Sequence, residues 1–219
     1  MNSNFKYRPK TIDEFVFANE RLESRIRRYT DGKTIIPLVL HGAHGTGKSL
    51  LAELIPRSIE GKDRITINNV HAEDLNNSAE VRKKFYRNKD FDRHFTIGDQ
   101  KNNYTVIQEV NFDPKAKGAL RVCLDDMSDT DLFIFTTNEV EKIDQGLLSR
   151  AEVIEVPPAP PEKFLSRAKF ILSSEGFELA DAELLDLLES VYSDRSDNRA
   201  YYQALDRVID SAAESLTQA

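Results

Sequence analysis

Gly42, Gly45, Gly47, Lys48 and Ser49 are spaced as G-x-x-x-x-G-K-S within Gly42-Ala43-His44-Gly45-Thr46-Gly47-Lys48-Ser49. Glycines at this density let the backbone curl with its N–H groups turned to one side, which makes a concave donor surface matched to an oxyanion. Lys48 adds a point charge at the rim, and the Ser49 hydroxyl can ligate a hard cation. Together with Thr46 inside the loop, the pattern predicts a phosphate site for ATP with Mg2+: Lys48 reaches the β and γ phosphates and Ser49 the metal. The apolar run Ile35 to Leu40 reads as a buried strand and Leu50 to Ile55 as the start of a helix. The loop therefore opens onto a helix N-terminus, whose dipole favours negative charge. A glycine-rich turn with no ligand needs neither flank.

Composition limits the function classes. The 219 residues, 40% hydrophobic, suffice for a core in one large or two modest domains. No run approaches the ~18 apolar residues of a membrane span, and the first residues lack the apolar segment of a signal peptide, so the expectation is a cytoplasmic protein with no membrane contact. The single cysteine, Cys123, excludes an internal disulfide. His41 and His44 flank the loop, whereas His71 and His94 lie in polar stretches without metal-ligand company, which argues against a zinc site. Thirty Lys and Arg against 37 Asp and Glu give a net charge of −7, so any attraction to nucleic acid must be local. The one basic stretch of note holds Arg82, Lys83, Lys84, Arg87, Lys89 and Arg93.

The elements that must position the loop alternate. Strands are predicted at Leu38 to His41, Arg64 to Asn68, Tyr104 to Val110, Leu132 to Thr136 and Val153 to Val156. Helices are predicted at Asn19 to Tyr29, Ser49 to Ser58, Ser78 to Tyr86, Pro114 to Asp125 and Gln145 to Ser149. This rhythm is that of an α/β fold with a five-stranded parallel sheet. It stops at Pro157-Pro158-Ala159-Pro160-Pro161, where four prolines in five residues can continue neither strand nor helix. The boundary divides a nucleotide-binding core, 1–156, from a small α-helical lid, 157–219. The lid carries three stretches of helical apolar spacing, with Gly176 stopping the first, Asp181 capping the second and Asp197 capping the third.

A parallel-sheet core joined to a helical lid resembles the AAA+ ATPases, and the details are similar to their clamp-loader branch, such as replication factor C small subunits and the phage loader subunit. Lys6-Tyr7-Arg8-Pro9-Lys10-Thr11-Ile12-Asp13-Glu14 resembles the K-Y-R-P-x-T-[IL]-x-[DE] opening with which that family embraces adenine, which implies a nucleotide role for Tyr7 and Arg8. Phe133-Ile134-Phe135-Thr136-Thr137-Asn138 resembles the strand ending in the sensor 1 residue, here Asn138. Gly118-Ala119-Leu120-Arg121 sits where the family has its N-A-L-R helix. Ile143 to Ala151 resembles the I-x-x-x-[IL]-x-S-R-C arginine-finger block, with Ala151 in place of cysteine, and implies that Arg150 acts in trans on a neighbour's ATP. In a monomer Arg150 would instead be a capping or surface residue. Ser196-Asp197-Asn198-Arg199-Ala200 loosely matches G-D-x-R-[RK], which nominates Arg199 as sensor 2; a solvated first-turn arginine is the alternative.

One block departs from the family. Where four apolar residues precede Asp-Glu, this chain has Tyr104-Thr105-Val106-Ile107-Gln108-Glu109. The resemblance implies that Glu109 polarises the attacking water, while Gln108 replaces the aspartate that holds magnesium through water. An amide can accept that hydrogen bond but brings no charge. Asp125-Asp126 is no substitute, because those acids follow an amphipathic helix and not a buried strand. The resemblance thus implies a ring- or spiral-forming ATPase, homo- or hetero-oligomeric, that loads or assembles on DNA, with a sliding clamp or other DNA-bound protein as cargo and with Arg82, Lys83, Lys84 and Arg87 tracking phosphates. A row of bases on an exposed helix face also serves plain solubility. The second reading is an ATP-binding, weakly hydrolysing scaffold subunit that lends Arg150 to a partner. A small P-loop kinase is the third, disfavoured by the acidic lid and by blocks that have no purpose there. Loader subunits usually carry a helical collar after the lid, and this sequence ends at Ala219; either the collar belongs to a longer chain or the ATPase cores alone hold the assembly.

Overall fold

The computed structural model describes residues 2–75, 77–85, 100–108, 114–127 and 131–217. In chain order its helices are α1 (Ser3–Lys6), α2 (Glu20–Thr30), α3 (Lys48–Glu60), α4 (78–85), α5 (Pro114–Met127), α6 (Gln145–Leu148), α7 (Pro161–Ser174), α8 (Asp181–Asp194) and α9 (Asn198–Thr217). Two compact units form: Ser24–Gly42 with Lys48–Val156, and Met1–Glu23 with Ala43–Gly47 and Pro157–Ala219.

The first unit is built on a sheet. Strands β1 (Leu38–His41), β2 (Asn68–His71), β3 (Asn103–Gln108), β4 (Asp131–Thr137) and β5 (Glu152–Glu155) pair in parallel in the order β2-β3-β4-β1-β5. Leu38, Val39 and Leu40 have no exposed surface, and all seven residues of β4 are buried. A strand covered on both faces has no polar side to alternate with, so it reads as a continuous apolar run. On one side, Val39, Ile107, Phe133 and Phe135 pack against Leu120, Cys123 and Leu124 of α5 and against Val81 and Phe85 of α4.

The second strand lies later than the sequence suggests. Val70, not Ile65 or Ile67, is the buried residue there, and pairing starts at Asn68, which sits opposite Thr105. Upstream, the Gln100 carboxamide replaces a strand partner: its oxygen accepts the Thr66 N–H at 3.0 Å and its amide donates to the Thr66 carbonyl at 3.2 Å. A side chain that satisfies both backbone groups removes the need for a ladder there.

Glu60, at the end of α3, fixes the entry to β3. Glu60 as a whole is 8% exposed, and its carboxylate accepts the Lys101 N–H at 3.1 Å, the Asn102 N–H at 3.3 Å and the Tyr104 hydroxyl at 2.6 Å. Burial, followed by this bond, pushes the Tyr104 phenol above its ordinary range, so it donates at any physiological pH.

The second unit is a helical cluster. Phe164, Ile171 and Leu172 of α7, Leu184 and Leu188 of α8, and Tyr201, Leu205 and Ile209 of α9 make its core, with the Phe164 and Tyr201 rings stacked 4.5 Å apart. Pro161 opens α7 at the first-turn position that tolerates a missing N–H. Gly176, at φ 82°, follows its end, as the sequence suggests. Asp197 caps α9, accepting the Arg199 N–H at 2.8 Å. Asp181 does not cap α8: Ala180 is the cap residue, and Asp181, already inside the first turn, takes Lys169 at 2.6 Å. A carboxylate in a first turn still favours the helix dipole, so the acid is useful there without capping. The N-terminal stretch belongs with these helices. The Ser3 N–H is held by both Asp206 oxygens at 3.0 and 3.2 Å, and Lys6 pairs with Glu175 at 2.6 Å. Among the described residues no helix is long and apolar enough to cross a membrane.

Glu60→Ala strands two backbone donors and a buried hydroxyl. The expected loss is about 2–3 kcal/mol, read as a lower urea midpoint with an unchanged slope; an unshifted midpoint would show that the carboxylate does not hold this junction.

Candidate nucleotide-binding site

The loop between β1 and α3 has the conformation its glycines allow. Gly42, Gly45 and Gly47 lie at φ 138°, 74° and 100°, where a side chain is strained. Each also sits where a Cβ would collide. At Gly42 it would meet the Val156 carbonyl oxygen at 2.7 Å, at Gly45 the Asp197 carboxylate at 1.7 Å, and at Gly47 the Phe15 ring at 2.8 Å. Thr46 is fully buried, its hydroxyl donating to the Ala43 carbonyl at 3.2 Å. Lys48, the first residue of α3, is 8% exposed and turns its ammonium onto the Gly42 carbonyl at 2.9 Å. That bond folds the lysine back over its own loop, where it adds positive charge to the N–H groups at the start of a 13-residue helix. Ser49 is exposed.

Parallel register aligns the strand ends within the sheet unit. His41 of β1 is opposite Thr137 of β4, Ile107 of β3 is opposite Phe135, and Gln108 is opposite His71. The carboxyl ends of β1, β3 and β4 therefore form one edge, the position where open α/β sheets hold ligands. Gly42, Lys48 and Ser49 follow β1, half-buried Gln108 ends β3, and exposed Asn138 directly follows β4, within a turn in which the Thr137 hydroxyl accepts the Glu139 N–H at 3.0 Å. Burial holds the His41 imidazole below its ordinary range, so it adds no cation beside the loop at neutral pH. Glu109 and Arg87 lie outside the described residues.

The donor set fits a triphosphate with magnesium: a glycine cradle that no Cβ could enter, a lysine at its rim, a helix start, and a hydroxyl and an amide oxygen of the hard type that magnesium prefers.

Arg150 is exposed and bound within its own unit. Its Nε and Nη2 donate to the two Asp125 oxygens at 2.7 and 3.0 Å, and Nη1 donates to the Gly146 carbonyl at 2.7 Å. The guanidinium beside it holds the Asp125 carboxyl below its usual range. Asp125 lies on α5, consistent with its exclusion as a strand-end acid, but its partnership with Arg150 has no signal in the sequence. Arg121, on the same helix, faces the α6 cap residue Asp144 at 3.5 Å.

In the helical unit, Tyr7 gives its hydroxyl to Glu175 at 2.5 Å, meets the Phe170 ring edge-on at 5.9 Å, and has its carbonyl bound by Arg167. Arg8 is exposed. Arg199, in the first turn of α9, is exposed too. Its neighbour Asn198 is not a candidate from sequence, yet its side chain donates to the Thr46 carbonyl at 3.2 Å and accepts the Ala159 N–H at 2.9 Å. On α4, Val81 and Phe85 face the core, Arg82 and Lys83 are exposed and Lys84 is half-buried.

Comparison with known proteins agrees with this geometry. Residues 38–158, more than half of the chain, match the family described as ATPase family associated with various cellular activities (AAA). Replication factor C small subunit 2 of Pyrobaculum islandicum is 29% identical over 189 residues, covering 85% of this chain and 57% of the relative. Replication factor C small subunit of Archaeoglobus fulgidus is 30% identical over 185 residues, covering 84% of this chain and 57% of the relative. The chain thus spans little more than half the length of the curated relatives it matches. Among solved structures, a variant of Thermotoga maritima RuvB superposes with a TM-score of 0.72 at 17% identity, covering 97% of this chain and 68% of that one, a likeness of fold.

Gly45→Ala combines left-handed strain with displacement of the Asp197 cap, and should cost about 2–3 kcal/mol. In a double-mutant cycle, Gly45→Ala on an Asp197→Ala background should cost measurably less in chemical denaturation. Strict additivity would mean that the carboxylate does not press on the loop.

Proposed function

Because the chain belongs to the AAA family of ATPases, we propose that it is a clamp-loader-like ATPase that binds ATP with magnesium at subunit interfaces of a ring or spiral and drives assembly or loading on DNA. The observation that carries the reading is the loop itself, three glycines held at positive φ between a buried strand and the helix that Lys48 opens. Its support is the similarity to replication factor C small subunits over 84–85% of the chain.

In this reading the loop amides and Lys48 hold the β and γ phosphates. Tyr7 and Arg8 flank the adenine, so Tyr7 would exchange its contact with Glu175. Magnesium, when bound, supplies charge neutralisation, and Ser49 with Gln108 would hold it. Glu109 orients the attacking water and Asn138 hydrogen-bonds the γ-phosphate. Arg150 of one subunit offsets transition-state charge on the next, and Arg199, from the lid 157–219, acts as the sensor 2 arginine near the γ-phosphate. Arg82, Lys83, Lys84 and Arg87 track the DNA backbone, and a sliding clamp or another DNA-bound protein is the cargo.

Gln108 favours a second reading, a subunit that binds ATP, turns it over slowly and lends Arg150 to a catalytic neighbour. Steady-state turnover separates the two. On the first reading, purified protein hydrolyses ATP, and Glu109→Gln abolishes turnover while preserving nucleotide binding. On the second, the parent's turnover is slow or absent, and Gln108→Asp creates activity.

Light scattering should show a larger molar mass with a nonhydrolysable ATP analogue than without, and the gain should vanish in Lys48→Ala. A mass that stays monomeric with analogue and primed DNA would remove the role of Arg150 in trans. Replacing Arg82, Lys83 and Lys84 with alanine should weaken DNA binding and flatten the slope of log K against log salt by up to about 3; an unchanged slope would remove α4 from the DNA surface.

A further inference from the structure

Asn198 stands at the variable position of the G-D-x-R block, so the block gives it no role. Its surroundings do. Ala43–Gly47 belongs to the same compact unit as α7, α8 and α9, and within that unit Asn198 touches both the loop and the proline run. The Nδ2 group donates to the Thr46 carbonyl at 3.2 Å while Oδ1 accepts the Ala159 N–H at 2.9 Å. The two partners fix the amide orientation, because a flip would set oxygen against carbonyl and N–H against N–H.

Both ends of this bridge are unusual. Of Pro157 to Pro161 only Ala159 has an N–H, so the stretch offers one backbone donor, and Asn198 takes it. The Ala159 carbonyl is used as well, accepting the Tyr201 hydroxyl at 2.9 Å. Asn198 and Tyr201 are three residues apart on α9 and therefore share a face. The proline run is thus stitched to the first turn of α9 through both polar groups of a single residue. At the other end, Thr46 is fully buried and lies between Gly45 and Gly47, and the preceding residue, Asp197, packs its carboxylate against Gly45. The first turn of α9 therefore holds the phosphate loop and the proline run at once. Asparagine suits the task because one short side chain supplies a donor and an acceptor; aspartate lacks the donor and alanine lacks both.

We propose that Asn198 is a positioning residue that couples the phosphate loop to the proline segment, so that filling the loop with nucleotide tightens the hold on Ala159 and on the start of α9. The proposal rests on the reading that this loop binds ATP, and it deepens that reading by naming a residue through which binding is felt in the lid.

Hydrogen exchange on the full chain tests it, because Ala159 contributes the one exchanging backbone amide between Pro157 and Pro161. In the parent, a nonhydrolysable ATP analogue with magnesium should slow the loop amides and also slow Ala159, the latter by about threefold to tenfold, the worth of one neutral hydrogen bond. Asn198→Asp retains the acceptor for Ala159 and loses the donor to Thr46. It should still bind the analogue, about threefold to tenfold more weakly, and at saturation its Ala159 exchange should not respond. Asn198→Ala should exchange fast at Ala159 with or without analogue. Slowing of Ala159 in Asn198→Asp equal to that in the parent would overturn the coupling, as would a parent whose loop amides respond while Ala159 does not. If neither responds in the parent, the nucleotide reading itself fails and takes this one with it.

Discussion

Backbone angles open to glycine alone are the constraint on which the rest of this chain depends. At Gly42, Gly45 and Gly47 the loop turns through positive φ, and each turn is packed against something that leaves no room for a Cβ: a backbone carbonyl at Val156, a carboxylate at Asp197, an aromatic ring at Phe15. Conformation and close approach thus demand the same residue type for independent reasons. A loop held in this way has its amides arranged before any ligand arrives, which reduces the ordering cost that binding must otherwise overcome. The sheet serves the same end. With Leu38 to Leu40 fully buried and parallel neighbours on both sides, β1 delivers Gly42 at a fixed height beside Gln108 and Asn138.

Charge in this acidic protein is placed pair by pair. Asp125 holds Arg150 through two parallel bonds and Asp144 faces Arg121, so α5 and the segment around α6 share two arginine–carboxylate contacts. Exposed pairs of this type contribute little stability, but a bidentate one constrains where a guanidinium points. In the proposed assembly, Arg150 would leave a carboxylate for a phosphate, exchanging one anion for another. The helical unit has a comparable arrangement. Glu175 takes both Lys6 and the Tyr7 hydroxyl, and these hydrogen bonds hold its carboxyl below the ordinary range, so the Lys6–Glu175 pair stays ionised near neutrality.

Much of this was legible in the sequence, and the reasons differ by feature. The loop, the parallel sheet, the helix that Asp197 caps and the stop at Gly176 each follow from local chemistry, in which a few neighbouring residues decide the outcome. The errors lie where distant residues decide. The second strand begins at Asn68 because Gln100, 34 positions away, satisfies Thr66. Asp181 stands inside its helix with Lys169 as partner. Glu60, Asp125 and Asn198 are ordinary polar residues in any sequence window, and their significance comes from partners 25 to 152 positions away. Polar side chains that bridge segments have no periodicity to reveal them, whereas apolar ones repeat with the element that carries them.

Gln108 shows how these levels combine. It ends a strand whose interior is buried, fixed at its start by Glu60 and along its length by β2 and β4, so the backbone places residue 108 at the strand end whatever its side chain. The fold therefore tolerates amide or acid there, and only the charge of the site distinguishes them. A triphosphate with one divalent cation carries excess negative charge, which the loop amides, Lys48 and the start of α3 oppose. An aspartate at position 108 would add another negative charge to that set, and the glutamine does not. In the proposed reading, the substitution would favour retention of nucleotide over charge organisation around the metal. On that reading it would shift the balance between binding and turnover and leave in place the architecture that presents either.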